Sequence, residues 1–144
     1  MIKNERQYRI TTAQAERFAL AVAELAAHPR RDLHPILRKA ELEALKSQLA
    51  DLKRELAEYT SLRSGLRKVI ALDSIETLPK MLIQARIAAG LSQEDLAAKL
   101  GLRAQQIQRY EATDYQSARL ERINQIIRVL GVRFSHPAKL RVAS

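Results

Sequence analysis

The stretch LSQEDLAAKLGLRAQQIQRYE, residues 91–111, sets two short amphipathic segments on either side of one glycine. Its second segment carries Gln105, Gln106 and Arg109 where a solvated helix usually carries Lys and Glu. A carboxamide offers a donor and an acceptor side by side, and a guanidinium offers parallel donors. Both suit bidentate bonding to flat partners with fixed hydrogen-bonding edges. Gln105 and Arg109 are four apart and share one helical face, while Ile107 points the opposite way. The alternative is an ordinary solvated face, and the surroundings of the segment decide between the two.

Few other residues offer chemistry. Cysteine is absent, so there are no disulfides and no thiolate metal sites. The histidines are His28, His34 and His136. The first two sit in a proline-bounded loop with only Asp32 as a further candidate ligand, so no metal site is expected. No glycine-rich loop cradles a phosphate, and no acid/base or nucleophile pattern stands out. The sequence predicts no catalytic residue, no cofactor and no enzyme.

The formal net charge is +9. Residues 1–76 hold 14 Lys and Arg against 11 Asp and Glu, and residues 77–144 hold 11 against 5. The excess is therefore concentrated in the half that contains the stretch above. A basic face attracts polyanions, nucleic acid among them. No apolar run approaches the roughly 20 residues that span a bilayer, and MIKNERQYRI lacks the apolar core of a signal peptide. No membrane association and a cytoplasmic location are expected.

Gly and Pro are scarce, and Ala, Leu, Glu, Gln, Lys and Arg dominate, which predicts an all-α chain. A first helix is expected over about 12–27, opened by a capping box in TTAQ. Ala15, Phe18, Val22 and Leu25 give it one apolar stripe. HPRRDLHP breaks it. A long helix is expected over about 35–62, with Leu42, Leu45, Leu49, Leu52, Leu56 and Tyr59 in a heptad seam. Glu41 and Glu55 fall at g positions, and Lys46 and Lys53 at e positions. The seam packs either on the first stripe as an antiparallel hairpin or on a second copy as a coiled coil, and hairpins that associate would satisfy both. Residues 63–76 read as a linker in which SGLRKVIALD is a short helix or a short strand.

Four helices are expected beyond it, over about 79–89, 93–100, 104–111 and 118–130. Ser92 caps the second with Asp95 three residues on, Ser117 caps the fourth, and Gly131 ends it. Gly101 supplies a turn of positive φ. Leu96, Ala97, Leu100, Leu102 and Ile107 face inward, and Leu82, Leu120, Ile123, Ile127 and Leu130 close the core. Ala97 leaves room for two helices to cross closely.

With these residues in place, the stretch resembles the helix-turn-helix of the Cro/phage-repressor, or XRE, family. The resemblance covers roughly 78–132. It rests on Gln93, Leu96-Ala97, Leu100-Gly101, Ile107, Glu111, the LGV at 130–132, and Arg86. It implies that the third helix enters the major groove of double-stranded DNA, where Gln bonds bidentately to adenine and Arg to guanine. Mapped onto this sequence, it places Ala104, Gln105, Gln106 and Arg109 against bases. Gln93, Arg103, Arg119 and Arg122 would meet phosphates, and Arg86 would pair with Glu111. The loop ATDYQS, residues 112–117, departs from the family in lacking its usual glycine and basic residues.

The expected organisation is an N-terminal helical hairpin or coiled coil (1–62), the linker (63–76), a Cro/repressor-like helix-turn-helix bundle (77–132) and a tail (133–144). The expected function is a sequence-specific DNA-binding regulator, a homodimeric repressor of its own or other genes. The layout is also similar to antitoxins of the HigA type, in which case the hairpin, with Phe18, Leu42, Leu49 and Tyr59, would neutralise a protein toxin.

Overall fold

The computed structural model describes residues 1–66, 69–72 and 74–135. Among them are six α-helices and no strand: α1 (Glu5–Ala27), α2 (Pro35–Arg63), α3 (Leu78–Ala88), α4 (Gln93–Lys99), α5 (Ala104–Ala112) and α6 (Leu120–Val129). A single 3₁₀ turn, Ile75–Thr77, precedes α3. None of these helices is long and apolar enough to cross a membrane.

Helix α1 begins two turns earlier than the sequence predicts. Asn4 caps it from extended backbone, its side chain accepting from the Gln7 amide at 2.9 Å. The TTAQ capping box is not used, because Thr12 lies inside the helix and its hydroxyl donates back to the Tyr8 carbonyl at 2.9 Å. Pro35 opens α2, with the His34 ring accepting from the Ile36 amide at 3.3 Å.

The two helices form an antiparallel hairpin within one chain. Arg63 pairs with Glu5 at 2.6 Å, and Tyr8 stacks on Tyr59 with ring centroids 5.2 Å apart. At the opposite end Arg30 stands 3.9 Å from Glu41. The g-position acids are thus turned to partners in the same chain, since Glu55 accepts from the Met1 amino group at 3.0 Å. Leu42, Leu45, Leu49, Leu52 and Leu56 are half-buried, and Tyr59 is buried.

The hairpin and the C-terminal helices share one core. Ile2, Tyr59 and Leu62 join Leu82, Ile83, Ile87, Leu96, Ala97, Ile107, Tyr115 and Ile126 in a single buried cluster. Gln84 of α3 also donates to Glu58 of α2 at 2.7 Å. The division at the linker is therefore one of sequence, not of packing. The described residues of 64–74 form neither helix nor strand, and 67, 68 and 73 lie outside the described set, as does the expected tail from 136 onward.

Two expectations for α6 need correction. Ser117 does not cap it: the cap position is Arg119, without a side-chain bond, and the Ser117 hydroxyl instead lies 3.5 Å from that of Thr113. Leu120 does not close the core. It is the first residue of α6, a full turn ahead of the half-buried Ile123, and stays 71% exposed, while Ile126 takes the central place with no exposure.

Candidate nucleic-acid interface

Helix α4 starts with a complete capping box. The Ser92 hydroxyl accepts from the Asp95 amide at 3.0 Å, and the Asp95 carboxylate accepts from the Ser92 amide at 2.9 Å. The bond from the Ser92 hydroxyl holds the Asp95 carboxyl below the usual carboxylate range. The helix closes in a Schellman turn: Leu102 donates to the Ala97 carbonyl at 2.8 Å and Gly101 to Ala98 at 3.2 Å. Gly101 sits at φ +66°, where a side chain would be strained. Ala97, 1% exposed, lies where α4 and α5 meet.

The turn delivers α5 with two unlike faces. Ile107 and Glu111 are fully buried. Gln105, Gln106 and Arg109 are exposed, and Ala104 is half-buried. Arg103, Gln105, Gln106, Arg109, Tyr110 and Ser117 line one open depression of about 520 Å³. Gln106 donates to the Tyr110 hydroxyl at 3.1 Å. Among the described residues Gln105 and Arg109 have no side-chain partner, so their bonding groups are open to a ligand.

A buried ionic network fixes the far end of α5. Arg86 donates from Nε to Glu111 Oε1 at 2.6 Å and from Nη2 to Oε2 at 2.8 Å. Its remaining bonds go to the Leu91 carbonyl, 2.8 Å, and the Lys3 carbonyl, 2.7 Å. Gln93 adds a third donor to Glu111 at 2.7 Å. Both charges are thus removed from water with every side-chain nitrogen and oxygen of the pair hydrogen-bonded, the condition under which a buried pair persists.

Residues 82–136 match the family model described as Helix-turn-helix. The chain carries an XRE-type helix-turn-helix domain. That makes it a DNA-binding regulator. Neither a curated protein nor a solved structure matches the chain.

Within the XRE-type domain the four residues expected at bases lie together along the exposed side of α5. The residues expected at phosphates are more scattered. Arg103 and Arg119 are exposed at the starts of α5 and α6, and Arg122 is half-buried with a 2.6 Å bond to Gln125. Gln93 departs from its expected role. Its side chain is turned inward, 5% exposed, donating to Glu111 and accepting from Asn4 Nδ2 at 3.2 Å, so its amide is not free for a phosphate.

The loop that lacks the family's glycine takes left-handed backbone anyway. Asp114 has φ 47° and Tyr115 φ 59°. Asp tolerates this region, and a tyrosine there is rare. Tyr115 is 2% exposed, stacks against Tyr110 at 6.2 Å, and its amide donates to the Tyr110 carbonyl at 2.7 Å. Burial, and after it the Glu111 carboxylate, raise the Tyr115 hydroxyl well above its ordinary value.

Sequence reasoning missed the N-terminal tetrapeptide. Ile2 is 3% exposed inside the domain's core, and Asn4 bonds Gln93. The Lys3 ammonium donates to the Glu111 carbonyl and, at 3.1 Å, to Asp114. Four residues ahead of a helix carry no periodicity. The one available signal was the glycine-less ATDYQS loop, which needs outside support to hold its shape.

Proposed function

We propose that the protein is a sequence-specific repressor that works in the cytoplasm as a homodimer on a two-fold operator. Ala104, Gln105, Gln106 and Arg109 read base edges, and Arg103, Arg119 and Arg122 neutralise phosphates. The reading rests on one observation: α5 presents the Gln105 carboxamide and the Arg109 guanidinium, without a side-chain partner among the described residues, on one side while Ile107 and Glu111 anchor the other. A single helix of this size makes few base contacts, and two set roughly 34–36 Å apart on successive turns multiply them. The hairpin supports the pairing, because its half-buried leucine seam leaves apolar surface for a second copy.

Fluorescence anisotropy on a duplex from the gene's own upstream region, against a scrambled duplex at two salt concentrations, tests this. Tight binding that survives moderate salt and discriminates between the duplexes is expected. Equal binding to both that salt erases would reduce the basic surface to a non-specific footprint.

The antitoxin reading draws support from the same hairpin. Ile10, Leu20, Ile36 and Leu37 are exposed there, and Gln14, Phe18, Gln48, Asp51, Leu52 and Glu55 line a depression of about 240 Å³. Under this reading the Gln105→Ala/Arg109→Ala variant loses the operator and still neutralises the toxic product of a neighbouring gene. Loss of both together would count against a separate toxin-binding surface.

A further inference from the structure

We propose that Lys3 is a positioning residue for the DNA-reading helix, bracing the loop after α5 in left-handed backbone that it adopts without a glycine. The inference rests on the DNA-binding reading of α5. Three observations meet at this residue. Its ammonium donates to the Glu111 carbonyl, at the C-terminal end of α5, where the helix dipole favours a cation. The same ammonium pairs at 3.1 Å with Asp114, the first of two non-glycine residues in left-handed backbone. Its own carbonyl accepts from Arg86, the guanidinium that grips Glu111.

Lys3 therefore ties the last turn of α5, the loop that follows it and the buried ion pair into one unit. A left-handed residue is disfavoured unless its surroundings hold it there. Tyr115 is held by burial. Asp114 is exposed, and Lys3 is the partner its side chain has among the described residues. The side chain of Lys3 is itself only 19% exposed, so the ammonium faces protein more than solvent. The neighbours on either side fix its place: Ile2 is packed in the core and Asn4 bonds Gln93 while capping α1. The end of the reading helix is thus braced by a residue 108 positions earlier in the chain.

The test pairs Lys3→Met, which keeps the aliphatic stem and removes the charge, with Lys3→Met/Asp114→Gly. Glycine adopts positive φ without strain, so it should restore what the lost brace gave up. Amide hydrogen exchange is read at Asp114 and Tyr115 and, for reference, at Leu82 and Leu96. The expected result for Lys3→Met is exchange about fivefold faster at the loop amides, with the reference amides unchanged. The ratio of operator to scrambled-duplex affinity should fall by a similar factor at an unchanged salt slope, and the double variant should recover both. Three results overturn the proposal: unchanged loop exchange in Lys3→Met, uniformly faster exchange that glycine does not repair, or a salt slope lowered by about one, which would make Lys3 a phosphate ligand instead. A wild-type protein that fails to discriminate between duplexes defeats the DNA-sequence reading. The exchange experiment still decides the role of Lys3.

Discussion

In the helix-turn-helix domain Leu82, Ile83, Leu96, Ile107 and Ile126 are sealed from solvent, and a charged pair is sealed with them. Along the hairpin, away from its junction with that domain, Ala15 is buried and the leucines of the seam are only half-covered. Both regions are amphipathic helices with short connections, so propensity does not separate them. The number of layers does. Helix α5 packs on α4 and is tied to α3 by the buried ion pair and to the N-terminal tetrapeptide by Lys3, whereas beyond the α2–α3 junction α1 and α2 have each other. Two helices alone cover one stripe on each and leave its margins wet. The hairpin is thus the region whose surface is unfinished, and the helix-turn-helix domain is the one that is complete.

Substitutions can break or sharpen that contrast. Glu111→Ala strands Arg86 in the core and should cost about 3–5 kcal/mol in denaturant unfolding. An effect below about 1 kcal/mol would mean that the network is wetter than its burial indicates. Ile107→Ala opens a cavity in the same core and should cost about 2–5 kcal/mol. Leu45→Ala removes a half-covered side chain from the hairpin and should cost about 1 kcal/mol. A loss as large as that of Ile107→Ala, growing with protein concentration, would show that a second copy covers the seam in solution.

Tyr115→Phe should change little at neutral pH or stabilise slightly, because the buried hydroxyl has no hydrogen-bond partner among the described residues. Its effect belongs to alkaline solution. The folded state holds the Tyr115 proton more tightly than the unfolded chain, where tyrosine ionises near its ordinary value of about 10. That contribution is full below this pH and is lost as pH rises above it. The variant should therefore unfold less steeply in alkali, as followed by circular dichroism against pH. Smallest of all, Arg54→Ala removes an exposed pair with Asp51 and should stay within about 0.5 kcal/mol.

The helices of the helix-turn-helix domain were legible because their punctuation is local. Ser92 with Asp95 starts α4, Gly101 ends it, and Ile107 fixes the inward side of α5. The heptad seam of α2 was legible too, but its partner was not. A stripe of leucines states that something must cover it without naming the cover, and here α1 does so within the chain. What the sequence concealed depends on contacts between distant residues. Asn4 outcompetes Thr12 as a cap because the chain before it is anchored by Ile2. Gln93 turns inward because Glu111 and Asn4, 18 and 89 residues away, offer partners for its amide. The left-handed loop stands without glycine because Lys3 and the buried Tyr115 brace it.

The chain has four tyrosines and no tryptophan, and the tyrosines form two stacked pairs. Tyr8 and Tyr59 report from the place where the hairpin meets the helix-turn-helix domain, and Tyr110 and Tyr115 from the end of α5. Tyrosine dichroism in the near ultraviolet is therefore a two-channel optical signal built into the molecule. Tyr8→Phe/Tyr59→Phe silences the first channel and leaves the second. Detachment of the hairpin and loosening of α5 then become separate spectral events, visible without any label.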